Sequence, residues 1–376
     1  MGVLLLHLLL VAVVARAPAA HAWGKDGHYM TCKVAESFLT EEASTAVKGL
    51  LPGWAGGDLA ETCSWADDHR SEFPWSIELH FGDSEGGCLF NYTSKLVTIF
   101  IALLPIQYNA WGLPDGDGIV SEQGIATTQG EKRTCVWSEQ STTTLRRFRT
   151  HQINVKHQST PQYLTASSCW STISPSLPAL PSVDPTMSLM LLAHFVGDIH
   201  QPLHCGRHTD RGGNDIKLNW YTTPSNLHRV WDVDVIEKAR KEFYNDERST
   251  MIKAIELDIT VRTMDGLTRR STGRRATITI TLVLTSELLI CLKTTVSSEV
   301  KYNLQRLIAE CNCRYATESA KLACKAYEGV EQGSTLGDDY FFYALPVIQK
   351  RIAQGGVRLA AILNKIFSCY GKLRSS

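Results

Sequence analysis

The chain lacks an excess of either charge: 38 lysines and arginines are balanced by 38 aspartates and glutamates. A phosphate backbone would find no cationic surplus here, so any handling of nucleic acid requires a bound metal to supply most of the positive field. None of the eleven cysteines forms a CxxC pair, which argues against a thiolate zinc site. The apolar run Val3 to Val14 is too short to span a bilayer. With Ala20-His21-Ala22 behind it, the run reads as a secretory signal peptide over residues 1–22. The expectation is a chain that enters the secretory pathway, becomes extracellular or vacuolar, forms no stable membrane association and begins at Trp23 once processed.

In that oxidising route most cysteines should pair, although an odd count leaves at least one over. The single sequon, Asn91-Tyr92-Thr93, makes Asn91 a glycosylation candidate. Nothing in the composition, with 44% hydrophobic and 20% charged residues, points to disorder or a fibre.

Strand-type alternation is scarce and helical spacing dominates, so the expected fold class is all-α. Gly27 to Leu50 carries two helices, the second started by Thr40-Glu-Glu as an N-cap signal. Thr186 to Leu203 predicts a buried helix stopped by Pro202, Val230 to Phe243 and Ser319 to Ala326 two more, and Ala344 to Phe367 another with a break at Gly355-Gly356. Two regions depart from this texture, about 95–185 and about 261–310. They are either peripheral insertions of irregular structure or translated non-coding sequence within one domain spanning 23–376. The four tryptophans Trp54, Trp65, Trp75 and Trp231 are expected to pack, and Gly212-Gly213-Asn214 to form a turn.

The chemistry is concentrated in "HFVGDIHQPLHC", which sets His194, Asp198, His200 and His204 on an otherwise apolar stretch. His194 and Asp198 are four apart and share one face of a helix. "NLHRVWDVDVI" repeats the device with His228 and Asp232. Imidazole nitrogen and carboxylate oxygen at that spacing can grip one zinc ion. His200 lies about 120° round the helix from His194, so it is expected to support the ligands from behind or to serve the structure, and not to be a ligand itself. At the processed N-terminus, "WGKDGH" supplies the free amine and carbonyl of Trp23 and, five residues on, His28; an α-amino group deprotonates far more easily than a lysine. "CSWADD" adds Asp67, and "ELHFGD" adds His80 and Asp83.

With "WGKDGHYMTCKVAE", "CSWADD", "LAHFVGDIHQPLHCG", "GGNDIKLNWY", "NLHRVWDV" and "LACKAYEGVEQGSTLGDDYFFYALPVIQKRIAQGGVRLA" in this order, the chain resembles the zinc-dependent single-strand-specific nucleases, a family that includes plant bifunctional nucleases and secreted fungal nucleases. The resemblance implies a single helical domain of the phospholipase C and zinc nuclease type, holding three zinc ions as a trinuclear cluster. Asp67, His80, His194 and Asp198 would hold one ion. Trp23, His28 and a bridging Asp198 would hold the second, and His204, His228 and Asp232 the third. Asp83 would orient the attacking water and Phe81 would stack on a base. The implied enzyme is a hydrolase, an endonuclease on single-stranded DNA and RNA that leaves 5′-phosphates and also acts as a 3′-nucleotidase, working as a monomer. Its implied disulfides are Cys32–Cys63 and Cys88–Cys324. The alternatives are a zinc phosphodiesterase of the same fold acting on phospholipids, or a non-catalytic zinc-binding glycoprotein.

Overall fold

A computed structural model describes residues 23–82, 84, 184–268 and 314–367. Asp83, Cys88 and Asn91 lie outside the described residues, as do 95–183 and 269–310 of the two doubtful regions. The described residues are mostly helical, as the spacing predicts. Helix α1, Lys25–Glu36, and helix α2, Glu41–Leu50, are separated by Thr40, whose hydroxyl caps α2 by accepting from the Ala43 amide. Two single-turn helices follow, α3 at Leu59–Thr62 and α4 at Trp65–Asp68. Helix α5 spans Pro185–His200; Asp184 caps it through the Met187 amide, and Pro185 occupies its first position, where a missing N–H costs nothing. A 3-10 turn at Pro202–Cys205 continues the chain.

Beyond it lie strands β1, Lys217–Trp220, and β2, Thr223–Asn226. Helix α6, Leu227–Arg229, runs through a π turn at Val230–Asp234 into α7, Val235–Phe243. Helix α8, Arg248–Thr268, carries regular structure past residue 261, where the sequence suggested irregularity. Helix α9 covers residues 314–326, and a short strand β3, Thr335–Leu336, precedes α10, Asp338–Phe367.

The three strands form one sheet in the order β2-β1-β3, with β1 antiparallel to β2 and parallel to β3. At two to four residues each they are too short to produce a legible alternation. Among the described residues no helix is long and apolar enough to cross a membrane.

Helix α10 is the spine of the molecule and packs along both α1 and α5. The expected break at Gly355-Gly356 does not occur; the helix passes through both glycines. They serve close approach instead. A Cβ on Gly356 would meet Val34 Cγ1 at 2.5 Å, and one on Gly355 would meet Thr31 Cγ2 at 3.0 Å, so absent side chains let α1 seat against α10.

Two apolar clusters result. One gathers Cys32, Leu59, Leu191, Phe195, Ile199 and Leu363; the other gathers Trp23, Met30, Leu203, Trp231, Met251 and Ile348. The stretch from Ile199 to Cys205 contributes to both; it carries His204 and directly follows Asp198. Trp231 is fully buried, and Trp65 and Trp75 pack against the first cluster. Trp54 corrects the expectation of packing: it stands 62% exposed, on a turn of three residues, Gly53–Ala55, with no helix face to bury it against.

His200 is structural, as its angular position suggested. Its Nδ1 donates to the Val196 carbonyl at 2.7 Å, and its Nε2 accepts from Arg358 at 2.9 Å. Arg358 and Arg351, both buried on α10, share the carboxylate of Glu318, and Arg351 Nε also donates to the His200 carbonyl at 3.0 Å. Helices α9 and α10 thereby hold the end of α5 in place.

Candidate metal centre

Eight side chains from six parts of the chain converge in the interior: His28, Asp67, His80, His194, Asp198, His204, His228 and Asp232, none more than 7% exposed. They fall into three groups whose ligand atoms lie within 4.8 Å of one another: His28 with His194 and Asp198, Asp67 with His80 and His194, and His204 with His228 and Asp232. The first two overlap at His194, and Asp198 reaches both. Its Oδ2 lies 3.0 Å from His80 Nδ1 and 3.1 Å from His194 Nε2, while its Oδ1 lies 3.2 Å from His28 Nε2. In the third group His228 Nε2 stands 3.2 Å from Asp232 Oδ2 and 3.3 Å from His204 Nε2.

The backbone decides which nitrogen of each ring faces inward. His194, His204 and His228 each turn Nδ1 toward a carbonyl, of Cys63, His80 and Gly212 respectively, at 2.6–2.7 Å. A neutral ring that donates Nδ1–H in this way leaves the Nε2 lone pair free as a ligand. These carbonyls come from the ends of short elements, where backbone groups lack helical partners.

The remaining residues are placed by packing. The Gly24 amide donates to the Asp232 carbonyl at 2.9 Å, which draws the start of the described chain against the π turn that carries Asp232. Trp23 is wholly buried there. Gly197 lets α1 approach α5, because a Cβ would fall 2.8 Å from His28 Nδ1. Phe81 is half-buried with its ring tilted over His204, centroids 4.9 Å apart. The Arg70 guanidinium sits 5.7 Å from the centre of the Phe81 ring and pairs with Asp67. Eight of the nine expected ligand residues are therefore brought together by their side chains, and Trp23, the ninth, is buried just ahead of α1, while Phe81 lies against His204.

Four participants carry no sequence signal that singles them out. Gln201 donates from its amide to Asp232 Oδ1 at 2.5 Å while its own carbonyl caps the Leu203 amide. Arg70, Gly197 and the carbonyl of Gly212 complete the set. Only the turn at Gly212-Gly213-Asn214 was legible, and only as a turn.

Electrostatics favour a bound cation. Burial pushes the imidazole of His80 down to about 4, that of His204 to about 3 and that of His228 to about 4, and it lowers His28 as well, so these rings stay neutral. Burial acts on His194 too, but the carboxylates of Asp198 and Asp67 outweigh it and push this imidazole up to about 10, so a cation bound at its Nε2 would take the place of a proton there. Burial also opposes the charge on Asp198, which His194, His28 and His80 nevertheless hold well below the usual carboxylate range. Asp232 is raised well above that range by burial and by the neighbouring acids. Buried carboxylates of this kind need a positive partner.

Within the cluster, the buried polar atoms that make no hydrogen bond include both nitrogens of His28, Nε2 of His80 and Oδ1 of Asp198. Unpaired polar atoms at a buried site are costly, and all of these are metal-ligand types. The donor set of imidazole and carboxylate suits zinc.

Comparison with known proteins agrees with this geometry. Residues 23–368 match the S1/P1 Nuclease family. The chain is 33% identical over 367 residues to Endonuclease 2 of Arabidopsis thaliana, covering 96% of this chain and 98% of that one. It is 34% identical over 355 residues to Endonuclease 4 of the same plant, with 93% and 90% covered. Nuclease P1 of Penicillium citrinum is 26% identical over 218 residues, 57% of this chain and 59% of the fungal protein. A buried imidazole and carboxylate cluster and a match across nearly the whole described chain lead to one conclusion: the chain belongs to the S1/P1 nuclease family.

Proposed function

We propose that this nuclease is a zinc-dependent endonuclease that hydrolyses phosphodiester bonds of single-stranded DNA and RNA, leaves 5′-phosphates and also removes phosphate from 3′-nucleotides. The observation that carries this reading is the gathering of three buried ligand groups, two of them joined through His194 and Asp198. One ion would be held by Asp67, His80, His194 and Asp198, a second by Trp23, His28 and Asp198, and a third by His204, His228 and Asp232. The division of the two Asp198 oxygens between His28 on one side and His80 and His194 on the other supports the bridging role. When bound, the zinc ions would supply positive charge for the phosphoryl oxygens and lower the pKa of water to about 7.

The chain's own residues do the rest. The three backbone carbonyls hold the rings of His194, His204 and His228 in register. Asp83 is assigned to orient the attacking water and Phe81 to accept a base on its face. Stacking tolerates any base because every base has a π-face, and a base that is paired and stacked in a duplex is not free to reach the ring. Entry into the secretory pathway with removal of residues 1–22 is part of the proposal, since only then does Trp23 offer a free amine. The family match begins at that same residue. Glycosylation at Asn91, a Cys88–Cys324 disulfide and a monomeric state complete the reading.

The test is a cleavage assay on single-stranded and duplex DNA of one sequence, before and after treatment with a zinc chelator. Single strands should be cut to 5′-phosphate ends, the duplex much more slowly, and chelation should stop both until zinc is restored. Full activity in the chelated protein, or turnover of phosphatidylcholine in place of DNA, overturns the proposal.

A further inference from the structure

Tyr327 lies outside the ligand groups, just past the end of α9, and is 6% exposed. Its hydroxyl donates to Asp210 Oδ1 at 2.8 Å and accepts from the Arg207 amide at 3.3 Å. That same Asp210 oxygen accepts from the Gly213 amide at 2.7 Å. The Gly212 amide donates to the Arg207 carbonyl at 2.8 Å. One hydroxyl thus ties both ends of the loop from Arg207 to Gly213.

The loop matters because of where its tip goes. The Gly212 carbonyl accepts from His228 Nδ1 at 2.7 Å, which fixes the ring so that Nε2 faces His204 and Asp232. The tip has no room for a side chain: a Cβ on Gly212 would lie 2.3 Å from the Leu203 carbonyl and 3.2 Å from His228 Nδ1. Both tip glycines have positive φ, 63° and 86°, a conformation that only glycine adopts freely. Such a turn has little intrinsic preference for one geometry, so it depends on anchoring from outside. Among the described residues, the only side chains bonded to it are Asp210 and His228, and Asp210 is in turn held by Tyr327.

We propose that Tyr327 is a positioning residue for the His204–His228–Asp232 group, acting through Asp210 and the Gly212-Gly213 turn; the proposal rests on the reading of that group as a zinc site. Burial and the neighbouring Asp210 push the Tyr327 hydroxyl above the ordinary phenol range, so it remains a proton donor at neutral pH. Its ring carries a separate contact, with the Arg207 guanidinium 4.1 Å from the centroid. Tyr327→Phe therefore removes the hydroxyl bonds while leaving ring packing in place.

The experiment measures zinc release from the processed protein into a colorimetric chelator, for the parent and three variants. Partners behind a metal ligand typically contribute about 10–100-fold to metal affinity or activity, so Tyr327→Phe and Asp210→Ala should each speed the release of one ion by at least about tenfold. The other ions should leave at the parent rate. Asp210→Asn keeps an acceptor oxygen for both donors and should release zinc as the parent does. A parent that holds no zinc overturns the zinc reading and this proposal together. A parent that holds zinc, with Tyr327→Phe releasing it no faster, overturns this proposal alone. So does a variant that loses every ion at one rate, since general unfolding, not one displaced ligand, would then be the cause.

Discussion

Asp198→Ala is expected to cut nuclease activity by more than about a hundredfold, since loss of a partner that merely supports a ligand already costs about 10–100-fold and Asp198 touches three ligands itself. Its carboxylate is 2% exposed and lies within 3.2 Å of His28, His80 and His194 at once. Alanine would remove the negative charge that offsets these rings, and with it the group assigned to bridge two ions. Asp198→Asn separates charge from shape: it keeps the size and one oxygen but cannot bring negative charge to both sides. It should therefore fall nearly as far as alanine while retaining the helical circular dichroism of the parent. The measurement is the initial rate of single-stranded DNA cleavage with zinc present in excess. Alanine activity within tenfold of the parent would show that Asp198 does not bind the catalytic metal.

Loss of the Cys32–Cys63 disulfide should affect stability most. The bridge joins α1 to the end of α3 across 31 residues, and both cysteines are fully buried. Removing a native disulfide typically costs about 2–5 kcal/mol, against a net stability of about 5–15 kcal/mol for a domain. The effect should extend beyond stability, because the Cys63 carbonyl is the acceptor that orients His194 and α1 carries His28. A Cys32→Ala, Cys63→Ala protein should show a lower urea midpoint and release zinc sooner during the same titration. An unchanged midpoint would contradict the assigned weight of this bridge. Cys324 is disulfide-bonded as well, while Cys88, its expected partner, lies outside the described residues.

Much of this site is legible in the sequence because its main ligands come in pairs whose spacing is itself a structural statement. His194 with Asp198 and His228 with Asp232 each sit one turn apart on a helix, so their convergence needs no tertiary knowledge. The cap of α2 is legible for the same reason, being local chemistry. What lies beyond local spacing was not legible. Trp23, His28, Asp67 and His80 were placed by resemblance, since nothing in their own spacing brings them to α5. Gln201 and Arg70 act on ligands through contacts that only the fold creates. Gly355-Gly356 looked like a break because glycine is a poor helix former. In place, α1 packs so closely on α10 that any side chain would clash, and tertiary packing overrides the propensity. The β-sheet escaped notice because strands of two to four residues carry too few alternations.

The most direct measurement of the central claim is the zinc content of the processed protein beginning at Trp23, determined by native mass spectrometry. Nine donors arranged as three groups predict three tightly held zinc ions per chain. A correctly folded, active preparation that carries none, or only one, would contradict the account.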